Sequence, residues 1–458
     1  MTQHFYGPLR RCQKNPRYFC DERGEAIYLT GSHTWASFQE LRSPKEPDFD
    51  YTGFLDMLES HGHNYTRMWQ WCHTTNAPWT LDPIEITPLP WQRTGPGLAC
   101  DGQPKFDLGR FNPAYFDRLR ERIERAGDRG IYVGLMLFEA WAMRWSNEAV
   151  DSWQYHPLHQ DNNVNGIHGG RNGGGKTELY TLNNPEVVAI QKAFVRQVIE
   201  TVGDLDNVLF EVVNEVPFDQ PSYLWHSAMV DFIQEIERAR PKQHAVGMSD
   251  DGGGNNVAIL ASNADWVSPG NATAHIGGNY KTDPPLAEGG KVVITDTDHL
   301  WGHGATPSWV WRSFVRGLNP IFMDPWGPVP GNPIPGYPSS ILNAQDYPDW
   351  EPVRATLGLV RQVALSLDMN RMRPRPDLSR SGGLCLADVG QAYVAYAPDD
   401  PALHLVLAGP ARYTVQWILV RTREQFRGET IDVEESERRV SVVSPRGHDA
   451  VALIRREQ

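Results

Sequence analysis

The chain is poor in cysteine and has no block of basic residues, no long apolar run and no charged, apolar leader. Five cysteines (Cys12, Cys20, Cys72, Cys100 and Cys385) fall at irregular spacings with no CxxC. An odd count without metal-type spacing argues against a disulfide framework or a structural zinc site, and reduced thiols are expected. Lys+Arg is 43 against 56 Asp+Glu, a net charge of −13. Nucleic acid and anionic membrane surfaces select for clustered Lys and Arg, so both are excluded as partners. Mean hydropathy is −0.48, and no stretch approaches the roughly 18 apolar residues of a membrane span. The opening MTQHFYGPLRRCQKNPRYFC lacks the pattern of a signal peptide. It fits a cytoplasmic protein, or a secreted one whose leader is absent from this sequence. Two glycine-rich stretches also fall short of known sites. Gly169–Thr177 does not join a strand to a helix as a phosphate loop must, and reads as part of a long loop that could cover a cleft. Asp250–Gly254 lacks the oxygen spacing and distal Glu of a calcium loop.

What is abundant is aromatic: 16 Trp, 16 Tyr and 16 Phe, in a chain that is 40% hydrophobic and can bury a full core. Short apolar runs alternate with amphipathic stretches. Strands are expected at Ala26–Gly31, His63–Trp71, Ile131–Phe138, Val208–Val213, His244–Ser249, Asp265–Val267, Val292–Thr295 and Pro320–Met323. Helices are expected between them, among them Pro113–Gly127 opened by Asn112 and Pro185–Val202 opened by Asn184. Eight βα units in about 350 residues point to a (β/α)8 TIM barrel of the α/β class. Past Met369 the pattern changes. A Pro- and Arg-rich linker precedes short alternating runs, which read as a small C-terminal β-sandwich. The expected division is a barrel over 1–370 and a sandwich over 371–458.

Active sites of such barrels lie at the C-terminal ends of the strands. There the sequence places His33 and Trp35; Arg67 and Trp69; Glu139 and Trp141; Asn214 and Glu215; Asp250; Asp296, Asp298 and His299; and Trp326. Carboxylates supply acid, base and nucleophile, and indole faces stack on sugar rings. This combination points to glycoside hydrolysis, which sets two carboxylates across the scissile bond.

Phe210–Pro217 (FEVVNEVP) resembles the strand-four signature of the retaining (β/α)8 glycoside hydrolases of clan GH-A, and His63–Arg67 (HNYTR) resembles their strand-two segment. The opening Tyr18–Trp35 and the tail Tyr413–Val451 are similar to apiosidase-like proteins carrying a C-terminal, collagen-binding-type β-domain. The resemblance implies that Glu215 is the acid/base and that Asn214 contacts the sugar 2-hydroxyl. It further implies that Arg67 supports the nucleophile and that Trp326 is a sugar platform. It aligns Asp296 with the nucleophile, although the clan uses Glu there. Asp298 shares its side-chain parity, because successive strand residues alternate faces, and is the second choice. His33, Trp35, Trp69, Glu139, Trp141, Asp250 and His299 complete the expected site, with a carbohydrate as substrate and no metal or cofactor. Two rival readings are a non-catalytic carbohydrate-binding barrel and a metal-dependent hydrolase built on Asp250, Asp296, Asp298 and His299. The oligomeric state is left open.

Overall fold

The computed structural model describes residues 4–42, 48–75, 77, 83–144, 151–170, 175–216, 220–250, 256–271, 279–285, 290–330, 341–342, 348–380 and 384–457. Eight parallel strands form one sheet: β1 (Gly31–His33), β2 (Tyr65–Met68), β3 (Tyr132–Glu139), β4 (Val208–Asn214), β5 (Val246–Ser249), β6 (Trp266–Ser268), β7 (Val292–Asp296) and β8 (Asn319–Met323). From β2 to β8 each strand pairs with the next in sequence, and β8 pairs with β1. A parallel bridge from Thr34 to Met68 closes the ring between β1 and β2. Strands β3 and β4 are buried along their whole lengths, which is why both read as unbroken apolar runs.

Among the described residues, the α-helices longer than one turn are α1 (Tyr51–Ser60), α2 (Pro113–Gly127), α3 (Pro185–Val202), α4 (Gln220–Arg238), α5 (Asn256–Ala261), α6 (Pro307–Val315) and α7 (Glu351–Leu365). Their starts follow from sequence. Asn112, Asn184 and Thr306 accept hydrogen bonds from the backbone N–H groups of Ala114, Val187 and Trp309. A proline follows each cap, where its fixed φ suits a first turn and its missing N–H costs no bond.

The first expected strand is corrected. Ala26–Ile27 belongs to a three-stranded antiparallel sheet with Arg10–Arg11 and Phe19–Cys20, and the barrel strand begins at Gly31. Leu9, Phe19 and Leu29 share a core with Tyr65, Tyr132, Leu209, Val292 and Ile321, so this sheet plugs the barrel floor. A Cβ on Gly31 would stand 2.0 Å from the Tyr65 carbonyl oxygen, so glycine allows the close approach. A hairpin of Trp91–Leu98 and Pro104–Phe111 between β2 and α2 was not expected. Its glycines and proline hide any alternation.

After α7 the chain forms a six-stranded antiparallel sheet and a two-stranded sheet (Ala402–Ala408 with Glu437–Val443). A strand at Gln425–Val433, whose exposed and half-buried residues alternate at its start and which carries Arg427, Glu429 and Asp432, joins those expected. The inner strands of the larger sheet are buried on both faces. Tyr393, Ala395, Tyr413 and Trp417 pack with the smaller sheet, while Leu386, Val394, Tyr396 and Ile418 belong to the barrel's own core.

Candidate active site

Strand β2 carries Arg67 to the middle of the barrel mouth, where its side chain is 2% exposed. Its guanidinium meets three carboxylates. Nε and Nη2 donate to the two Glu211 oxygens at 2.7 and 2.6 Å. Nη1 donates to Asp298 Oδ2 at 2.7 Å and, more weakly, to Asp296 Oδ2 at 3.4 Å. Nη2 also donates to Asn214 Oδ1 at 2.6 Å. Burial alone would lower the Arg67 pKa, but Glu211, Asp296 and Asp298 together hold it well above its ordinary value. It is therefore a fixed cation among more acid than it can neutralise.

The two aspartates divide this environment unequally. Asp296 ends β7, and its side chain caps the next turn by accepting from the Asp298 N–H at 2.9 Å. It also accepts from His33 Nε2 at 2.8 Å. Trp69 Nε1, which can only donate, bonds His33 Nδ1 at 3.0 Å. This fixes the tautomer, with the imidazole proton on Nε2. Burial would raise the Asp296 pKa, but His33, Arg67 and His299 hold it well below the usual carboxylate range. Asp298 lies in the short 3₁₀ turn Thr297–His299. Burial and the neighbouring Asp296 charge raise its pKa to about 6 against the pull of Arg67. The expected strand parity does not reach this far. The strand ends at Asp296, and the turn points Asp298 in a direction of its own.

Just past the end of β4 the chain changes hand. Glu215 has φ of 49°, a left-handed conformation rare for a non-glycine residue and concentrated at functional sites. A carboxylate oxygen of Glu215, one of Asp298 and a ring nitrogen of His299 all lie within 4.8 Å of one another. His299 Nε2 bonds Asn214 Oδ1 at 3.1 Å, and its Nδ1 bonds Ser268 Oγ at 2.9 Å. Asn214 Oδ1 thus accepts from both Arg67 and His299. The amide is fixed with its oxygen inward, and Nδ2 has no partner among the described residues. The Glu215, Asp298 and His299 cluster has the donor types of a metal site. However, Arg67 already bonds Asp298, and both His299 nitrogens are engaged by protein groups.

A cavity of about 320 Å³ opens over this group. Of the residues expected at the site, it is lined by Trp35, Trp69, Trp141, Asn214, Glu215 and Asp298; Trp71, Gly302, His303 and Met323 also line it. Trp69 stacks on Trp71 with centroids 5.4 Å apart, and His303 packs on Trp35 at 5.3 Å. His33, Arg67, Asp296 and His299 are buried beneath and act on the lining groups. Glu139 is fully buried, accepts from the Ala142 N–H at 2.8 Å, and has its pKa raised to about 8, chiefly by burial. Two expectations are corrected. Asp250 is fully buried, its carboxylate fills the space that a Cβ on Gly270 would need, and it does not line the cavity. Trp326 packs on Phe49 and Phe54, with centroids 5.8 and 5.7 Å away, which holds it against α1 and off the cavity wall. Glu211 was missed, although a lone Glu inside an apolar strand must find a buried cation. Ser249 Oγ donates to it at 2.5 Å.

Two kinds of comparison find relatives. A family described as a domain of unknown function (DUF6298) matches residues 86–263. A family 5 glycoside hydrolase structure from Bacteroides vulgatus superposes with a TM-score of 0.62 at 14% identity, covering 99% of this chain and 95% of that one. The fold is that of the family 5 glycoside hydrolases. A second Bacteroides vulgatus structure, described as a candidate glycoside hydrolase, gives a TM-score of 0.65 at 14% identity over 99% and 83% of the two chains. A third, described as a glycoside hydrolase, gives 0.59 at 12% identity over 100% and 99%. No curated protein matches the sequence. The (β/α)8 barrel expected from the sequence is therefore present, with antiparallel sheets after it. The narrower likeness to apiosidase-like proteins rests on the opening and tail motifs alone. Among the described residues, no helix is long and apolar enough to cross a membrane.

Proposed function

We propose that the protein is a retaining glycoside hydrolase in which Glu215 is the acid/base and Asp298 the nucleophile. One observation carries the reading. Carboxylate oxygens of Glu215 and Asp298 lie within 4.8 Å of each other at the base of a Trp-lined cavity. Retaining enzymes hold this pair about 5–5.5 Å apart, and inverting ones need about 6.5 Å or more to admit a water. The same geometry favours Asp298 over Asp296. Asp298 lines the cavity, whereas Asp296 is 1% exposed and its oxygens are occupied by His33, Arg67 and the Asp298 N–H.

In this mechanism Glu215 protonates the glycosidic oxygen as Asp298 attacks the anomeric carbon. Glu215 then takes a proton from water, which releases the sugar from Asp298. Arg67 holds the attacking carboxylate through its 2.7 Å bond. Asn214 Nδ2, which has no hydrogen-bond partner among the described residues, can donate to a sugar hydroxyl. Trp35, Trp69, Trp71 and Trp141 supply faces for sugar rings.

The test is a panel of aryl glycosides and polysaccharides, with the anomer of the first product read by NMR. Retention is expected, with a loss of at least about 10²-fold in kcat/KM for Glu215→Gln. Glycan binding with no turnover on any substrate, or full activity in Glu215→Gln, would overturn the proposal.

A further inference from the structure

The hairpin between β2 and α2 and the loop 151–170 are distant in sequence but are joined by a rigid polar frame. The Cys100 N–H donates to Asn162 Oδ1 at 2.8 Å. Asn162 Nδ2 donates to the carbonyls of Gln154 and His156 at 2.7 and 2.9 Å. The Phe106 N–H donates to the Asn162 carbonyl at 2.8 Å, and the Val164 N–H to the Phe106 carbonyl at 2.9 Å. On this frame the Cys100 sulfur, a His159 ring nitrogen and an Asp161 carboxylate oxygen lie within 4.8 Å of one another. The His159 ring stands edge-on to Trp153, with centroids 5.4 Å apart. Its Nδ1 is 3.8 Å from Asp161 Oδ2. None of the three residues lines the cavity over Glu215.

We propose that Cys100, His159 and Asp161 form a site for one divalent ion of the zinc class, with a fourth position left to water. One thiolate, one imidazole and one carboxylate suit that borderline-soft ion and exclude magnesium or calcium, which take oxygen ligands. Tetrahedral bonds of about 2.0–2.3 Å put neighbouring donors roughly 3.3–3.7 Å apart. A side-chain movement of about 1 Å closes the present cluster to that size. Cys100 binds as thiolate and its proton passes to solvent, while no oxidation state changes. Asp101, next in the chain, is held by Arg93 and does not compete. Asp161 is 63% exposed, which leaves an entry path. Bound metal would staple the rim hairpin to the loop that follows β3. The sequence pattern of the cysteines alone argues against such a site. It arises because the fold brings His159 and Asp161 to a cysteine about sixty positions earlier.

The test uses the full chain, stripped with chelator and titrated with cobalt(II) as the probe. One equivalent should bind with a thiolate-to-cobalt charge-transfer band, and zinc should displace it. Cys100→Ser and His159→Gln should each abolish the band, Asp161→Asn should weaken binding at least tenfold, and Asp298→Asn should leave the band intact. Zinc should also protect Cys100 of the unaltered protein from alkylation, as mapped by peptide analysis, which needs no variant to fold. Absence of the band, its survival in Cys100→Ser or His159→Gln, or unprotected Cys100 would overturn the proposal.

Discussion

Replacing Glu139 by Gln should stabilise the protein increasingly as pH rises. Glu139 ends β3 fully buried, and its Oε2 has no hydrogen-bond partner among the described residues. Burial raises its pKa from 4.5 to about 8, so it is neutral in the folded protein at pH 7. In the unfolded chain the same group ionises near 4.5. Between the two values the folded state therefore holds one proton more than the unfolded state. The sign follows: the contribution is full below about pH 4.5 and is lost as pH rises towards about 8. One proton corresponds to about 1.4 kcal/mol per pH unit, and the whole interval to about 5 kcal/mol. Glutamine is isosteric with the protonated carboxyl and does not titrate. The difference in stability between Glu139→Gln and the unaltered protein should thus grow by about 3 kcal/mol from pH 5 to pH 7. Urea denaturation of the two proteins side by side at several pH values reads this difference directly. A difference that stayed constant across that range would refute the reasoning, because it would mean that Glu139 is already ionised in the fold.

The acid limb of kcat/KM should fall about tenfold per pH unit below about pH 6, since Asp298 must be ionised to attack and its pKa is raised to about 6; a limb near pH 4 would remove Asp298 from the role. A 2-fluoro-glycoside trap followed by peptide mapping should label Asp298, and a label on Asp296 would reverse the assignment. Arg67→Met should destabilise the fold by about 3–5 kcal/mol in thermal or urea melts, because Glu211 and Asp298 lose their buried cation. We also propose that residues 371–458 are a stabilising cap on a barrel over 1–370. Truncation after Met372 should give protein that aggregates and binds a hydrophobic dye, because Leu386, Val394 and Tyr396 complete the barrel core; a soluble, active truncation would disprove this.

The barrel was legible because parallel strands buried on both faces must be apolar throughout. Ile131–Phe138 and Val208–Val213 stand out for that reason and match β3 and β4 nearly end to end. The helix starts were legible because a cap and a proline act within four residues. The first strand was misplaced because Ala26–Ile27 is as apolar as a barrel strand, and only its antiparallel partners distinguish it. The C-terminal edge strand at Gln425–Val433 has no apolar run to mark it, because an edge strand with one open face carries polar and charged residues between its few buried ones.

At the site, the sequence by itself determined which residue types crowd the strand ends: the acids, the amide, the guanidinium and the indoles. Strand ends are fixed by local pattern, and the barrel topology places them on one rim. Only the tertiary structure decided how those groups divide the work. Asp296 and Asp298 are two residues apart and chemically alike. A capped 3₁₀ turn buries one against His33 and turns the other towards Glu215. Trp326 and Asp250 occupy rim positions like the rest, yet packing against Phe54 and Gly270 takes them out of the cavity. Depth and direction at a barrel mouth depend on the neighbouring strands, which no local pattern records.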